Sequence, residues 1–147
     1  MKKVLLIMLS VLFLFTVSSA KTAKFKKIKT LSSTSWKLTD FQNETLIYQY
    51  IGSKTLGEIT LNFAKKENLV SGFSGVNTYS GNFEINGENI TFSNLASTKL
   101  YGPRNVMEQE YKYLTVLPET ATYKVLDEKT LKLITSDGTE LTFTRTK

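Results

Sequence analysis

The chain has 147 residues, of which 41% are hydrophobic and 12% aromatic, with no His and no Cys. Those two absences exclude Ser-His-Asp and Cys-His catalysis, thiol and disulfide chemistry and the usual zinc sites. The net charge of +6 comes from the first thirty residues: seven of the 19 Lys and Arg lie there, and 19 − 7 = 12 against 13 Asp and Glu leaves −1 from Thr30 onward, which excludes a basic nucleic-acid binder.

In chain order, "MKKVLLIMLSVLFLFTVSSA" comes first. Lys2 and Lys3 precede an apolar run from Val4 to Val17, and Ser18 and Ala20 place small residues at the −3 and −1 positions of a cleavage site. This pattern predicts a signal peptide over residues 1–20, cut after Ala20. The run is shorter than the roughly 20 residues a bilayer core requires, so no membrane span is expected after cleavage. With no Cys to carry a lipid, the chain is not expected to be a lipoprotein. Residues 21–30, with five lysines, read as a basic, flexible N-terminal segment that could touch anionic lipid or wall polymer. Residues 31–147 then form one domain by length.

Apolar alternation dominates that domain. "TSWKLTD" turns Trp36 and Leu38 inward, "TLIYQYI" is a further strand candidate, and "GEITLNF" puts Ile59, Leu61 and Phe63 on one face. "NFEINGENITF" is a hairpin around Asn86-Gly87. A four-residue loop over 86–89 sets Ile85 against Ile90 and Phe83 against Phe92, whereas a two-residue turn at Asn86-Gly87 sets Ile85 against Glu88; the apolar match favours the longer loop. At the C-terminal end "ATYKVL", "TLKLIT" and "ELTFTR" alternate, with Leu131 and Leu133 facing Leu141 and Phe143 across Asp137-Gly138. Between these groups "NVMEQEYKYLTVL" carries Met107, Tyr111, Leu114 and Leu117 at helical spacing. Asn105 and Glu108 form a capping-box pattern, and Pro118 ends the helix. The expected fold class is α+β: a mostly antiparallel, barrel-like sheet with one helix around residues 105–117.

"GFSGVNTYSGNF", residues 72–83, poses the functional question. Its glycines at 72, 75 and 81 suit a backbone that turns or bulges, and Asn77 suits a side chain bonded to nearby main chain, with Thr98 acting likewise. The competing reading makes Tyr79, Tyr101 and Arg104 an aromatic-plus-cation patch for a glycan or protein. Buried aromatics and a surface Arg are the plainer account of the same residues. At least one of Gly75 and Gly81 is then expected at positive φ or at a bulge.

Here the chain resembles the META domain family, also called HslJ-like. "GVNTYSGNF" is similar to the family's G-C-N-x-x-x-G-x-Y signature, and "ASTKLYGP" to its T-R-M-A-C-P segment. "VMEQEYKYLTVL" resembles its M-E-x-E helix, "LKLITSDGTELTF" its closing hairpin and "LSSTSWKLT" its opening strand. The residues matching these motifs are Trp36, Gly75, Asn77, Gly81, Thr98, Pro103, Glu108, Glu110 and Leu114, and they are expected to be mainly structural. The two family Cys positions hold Val76 and Gly102 here, a joint loss expected if the two positions face each other. The resemblance implies a small antiparallel β domain with one helix, in proteins that are exported and loosely linked to stress, and no family-wide reaction.

Glu108 and Glu110 stand two apart on the helix and do not share a face, and Glu84 and Glu88 flank a hairpin loop. No phosphate loop, calcium loop or dinucleotide motif occurs. The expectation is a monomeric, exported, non-catalytic protein of the bacterial envelope, periplasm or secreted fraction. It needs no cofactor or metal and has a binding or stress-related role toward an envelope or extracellular protein or glycan. The alternative is an inhibitor of a secreted hydrolase, a lysozyme or a protease, acting through "KLYGPRN". An acid-residue hydrolase is the third reading.

Overall fold

A computed structural model describes residues 31–147, so the readings of 1–20 as a signal peptide and 21–30 as a basic segment lie outside the described residues. The strands are β1 (Thr34–Phe41), β2 (Gln49–Ile51), β3 (Lys54–Leu56), β4 (Thr60–Phe63), β5 (Leu69–Phe73), β6 (Thr78–Asn86), β7 (Asn89–Ser97), β8 (Thr120–Val125), β9 (Thr130–Thr135) and β10 (Glu140–Arg145). Helix α1 (Arg104–Val116) and a 3₁₀ turn (Leu117–Glu119) lie between β7 and β8. Eight strands close into an antiparallel barrel in the order β1-β10-β9-β8-β7-β6-β5-β4. Period-two alternation makes this possible, because it gives every strand one apolar face and closure turns all those faces inward. Trp36, Leu38, Leu61, Ile90, Leu133 and Phe143 are among the side chains that fill the interior, each at most 2% exposed.

The two hairpin registers read from the apolar pattern are present. Ile85 pairs with Ile90 and Phe83 with Phe92; the ladder runs one step further, to Asn86 and Asn89, so the turn is Gly87-Glu88 with Gly87 at φ 63°. Leu133 pairs with Leu141 and Leu131 with Phe143. "TLIYQYI" departs from expectation. Its last three residues form β2, which pairs with β3 alone in a separate hairpin where Tyr50 is 79% exposed.

Helix α1 departs in two ways. Its N-cap position is Pro103 at φ −56° and ψ 138°, without a side-chain cap, so the Asn105–Glu108 capping box does not form. The helix begins two residues too early for it: Asn105 Oδ1 instead accepts from Gln49 Nε2 at 2.9 Å, and Glu108 pairs with Arg104 at 2.9 Å. The face turned to the barrel is Val106, Glu110, Tyr113 and Leu117 rather than Met107, Tyr111 and Leu114. One residue of phase is about 100° of rotation. The expected stripe misjudged the phase because the buried face contains a carboxylate, which hydrophobicity alone places outside.

Candidate functional site: a groove beside the helix

The segment Ser74–Asn77 is built to receive that carboxylate. Gly75 stands at φ 125°, a region closed to residues with a Cβ, and this turns two successive amides the same way. Val76 N and Asn77 N donate to Glu110 Oε2 at 2.9 and 2.7 Å, and the Ser74 hydroxyl lies 2.7 Å from the same oxygen. Asn77 Nδ2 donates to Oε1 at 2.7 Å. Burial pushes the Glu110 carboxyl up, but the bonds from Ser74, Asn77 and the two amides outweigh it and hold the group below the ordinary carboxylate range. Asn77 continues the network, its Oδ1 accepting from Thr98 Oγ1 at 2.7 Å and from Leu100 N at 2.6 Å. Gly75, Asn77, Thr98 and Glu110, drawn from three separate segments, thus form one lock between the β5–β6 connection, the β7–α1 connection and the helix, buried at all but Thr98. Its chemistry is retention of a charge, not proton transfer.

The other singled-out residues are placed as follows. Trp36 is buried and its Nε1 donates to Thr34 Oγ1 at 2.7 Å. Gly81 sits where the β6–β7 register shifts between Ser80 and Asn82; a Cβ there would lie 2.6 Å from Leu95 Cδ2. A Cβ on Gly102 would lie 2.6 Å from Val76 Cγ2, so the two positions that carry Cys in the family pattern do touch. The three-residue patch does not assemble. Tyr79 is 3% exposed, its hydroxyl donating to Thr60 O at 2.8 Å and lying 2.7 Å from the Tyr113 hydroxyl. Alternation from Phe83 through Gly81 turns it inward. Tyr101, at 96% exposure, and Arg104, paired with Glu108, remain on the surface. Pro103 sets the helix start, and Leu114 is half-buried.

Helix α1 carries three parallel stripes, each following an i, i+4, i+7 spacing. The first is the buried stripe headed by Val106. The second, Asn105, Gln109 and Lys112, fastens the excursion between β1 and β4. Gln109 accepts from Ile47 N at 2.7 Å and donates to Ile47 O and Gly57 O at 3.2 and 2.9 Å, while Lys112 pairs with Glu44. The third, Met107, Tyr111 and Leu114, has no helix or strand laid over it among the described residues. It forms one wall of a groove of about 420 Å³ whose other wall is the end of β7 and the segment that follows, including Leu95, Leu100 and Tyr101. Leu100 is 63% exposed and Tyr111 73%. A second cleft, of about 380 Å³, lies beside Leu100 and is lined by β3, Phe73 and Val76. The sequence signal for the groove was the Met107–Tyr111–Leu114 stripe at helical spacing.

A closed eight-stranded barrel with one helix locked to it by a buried carboxylate defines a small antiparallel β domain of the kind the sequence motifs suggested. Residues 29–147 match the model of the META domain, and the chain belongs to the META domain family. The fold is similar to the NMR structure of a protein from Burkholderia xenovorans, with 25% identity, a TM-score of 0.62 and coverage of 79% of this chain and 83% of that one. It is also similar to the crystal structure of a DUF4847 family protein from Bacteroides vulgatus, with 15% identity, a TM-score of 0.52 and coverage of 78% and 94%. Among curated proteins none matches the chain.

Proposed function

We propose that this META-domain protein is an exported, non-catalytic binding protein of the bacterial envelope or secreted fraction, and that it holds its partner in the groove between α1 and the end of β7. The observation that carries this reading is the apolar stripe of half-buried Met107 and Leu114 and exposed Tyr111, facing Leu95 and Leu100 across an open groove. Aromatic and apolar side chains of this kind supply most interface energy when a partner buries them. Catalysis has little support there, because Glu110, the carboxylate at the groove, has both oxygens occupied by hydrogen bonds. Among the described residues no helix is long and apolar enough to cross a membrane. The test is capture from envelope extracts with the wild-type chain and with Tyr111→Ala. Capture that fails with the variant supports the reading, and fractionation of the full-length protein wholly with the cytoplasm overturns the export half of it.

A second reading, inhibition of a secreted hydrolase through residues 99–105, is favoured by one observation. Tyr101 protrudes at 96% exposure from a segment pinned by the Asn77–Leu100 bonds, which is how a rigid loop presents a side chain to a cleft. Inhibition of a lysozyme or protease that Tyr101→Ala and Arg104→Ala abolish would establish it, and no inhibition across a broad panel would remove it.

A further inference from the structure

We propose that the occupant of the groove is an extended segment of a partner protein, added as a strand to the free edge of β7, with a carboxylate directed to Lys99. This rests on the groove being the binding site, and it goes further by naming the chemistry of what binds.

The first ground is the edge itself. β7 pairs with β6 along its length, but among the described residues it pairs with β8 through Asn89 and Thr122 alone. The chain enters β8 from the 3₁₀ turn, which packs beside β7, so among the described residues no strand lies opposite the rest of β7. From Thr91 to Ser97 the outer main-chain groups of β7 have no strand partner among the described residues. Native edges are usually blunted by a central Lys, a Pro or a covering element. Here "TFSNLAS" contains no charge and no Pro; an extra residue of β7 lies between Ser93 and Ala96, with Asn94 at φ 52°, so the regular part of the edge beside the groove is Leu95–Ser97, and α1 stands across a groove rather than on it. An extended peptide is the ligand that supplies alternating donors and acceptors at strand spacing. A folded apolar surface or a glycan leaves them unmatched.

The second ground is the opposite wall. A strand added at this edge directs alternate side chains toward α1, where Met107, Tyr111 and Leu114 offer apolar contact. The third is charge complementarity. Two charged side chains line the groove, Glu110 and Lys99. Glu110 stays charged, but its four donors occupy both of its oxygens, whereas Lys99 is exposed and has no ion-pair partner among the described residues. The unanswered charge of the groove is therefore positive, and it lies just past the end of β7, where an Asp, a Glu or a C-terminal carboxylate of the added strand would meet it.

The test pans the purified full chain against random linear decapeptides displayed on phage, then titrates the selected peptides as synthetic compounds. The expected sequences alternate apolar residues and carry an acidic residue. Their binding slows amide hydrogen exchange from Thr91 to Ser97. N-methylation of alternate peptide amides weakens binding about tenfold per lost bond, and methylation of the intervening amides does not. Lys99→Glu, checked by its unchanged melting temperature, reverses the selection toward basic peptides. Peptides that bind at the groove but ignore N-methylation overturn strand addition and leave the groove as the binding site. A folded protein or a glycan that binds there, with no peptide selected, has the same consequence, as does dimerisation of the chain through this face. Should Tyr111→Ala leave the binding of every partner unchanged, both this proposal and the groove reading fall.

Discussion

At Glu110 four donors, two of them main-chain amides, meet a charge that the apolar pattern of the chain would place in solvent. Replacing it by Gln sets an amide group against the Asn77 amide and removes the charge that strengthens the other bonds. Glu110→Gln is expected to lower stability by about 2–4 kcal/mol in urea unfolding. The pH dependence follows from the direction of the shift. The folded carboxyl lies below its unfolded value of about 4.3, so its stabilising contribution is present above that pH and is lost as pH falls through the folded value. The urea midpoint should fall in acid more steeply for the wild type than for Glu110→Gln. A parallel fall in both would refute this assignment. Gly75→Ala must hold a Cβ at φ 125° and should cost about 1 kcal/mol or more. The space around Gly75 is adequate, with Val106 Cγ1 3.5 Å from the added Cβ, so the cost is one of backbone conformation. Tyr79→Ala empties a core position and should cost roughly 3–5 kcal/mol, a loss that rules out reading Tyr79 as a surface contact.

The three stripes of α1 divide its work among elements. The Gln109 amide reproduces the donor and acceptor of a strand neighbour for Ile47 and so fixes a segment that the barrel does not pair. Gln109→Ala should accelerate hydrogen exchange at the Ile47 amide well beyond any change at β9 or β10, because it frees the excursion between β1 and β4 locally. The segment from β7 into α1 is held by size as well as by hydrogen bonds, since Val76 occupies the place a side chain at 102 would need. Gly102→Ala should therefore destabilise by about 1–3 kcal/mol through overpacking, and adding Val76→Ala should restore part of that loss. Strict additivity in that double-mutant cycle would contradict the contact. The strands were readable because alternation reports directly which side of a sheet is wet. "TLIYQYI" misled because an apolar run of that length also suits an exposed hairpin arm.

Over the whole molecule, helix and barrel share one interior: Tyr113 and Leu117 are fully buried with the strand residues. Such a core should unfold in one step. Leu117→Ala should lower stability by about 2–5 kcal/mol while far- and near-ultraviolet circular dichroism still melt together. A helix that melts first would show α1 to be an appendage. The barrel closes thinly between β7 and β8 because the chain spends that stretch as α1, and the same choice opens the groove.

Sequence alone determined the antiparallel architecture, the two hairpin registers and the presence of one helix, since each depends on periodicity and turn residues over fewer than about twenty positions. The family motifs also singled out Gly75, Asn77, Thr98 and Glu110. Only the tertiary structure decided what those four residues do, because their chemistry exists through contacts 21 to 36 positions apart in the chain. It also decided the phase of α1. A helix buries the face whose partners satisfy it, and here a ring of donors outweighed hydrophobicity by drawing a carboxylate inward and leaving an apolar stripe in the open.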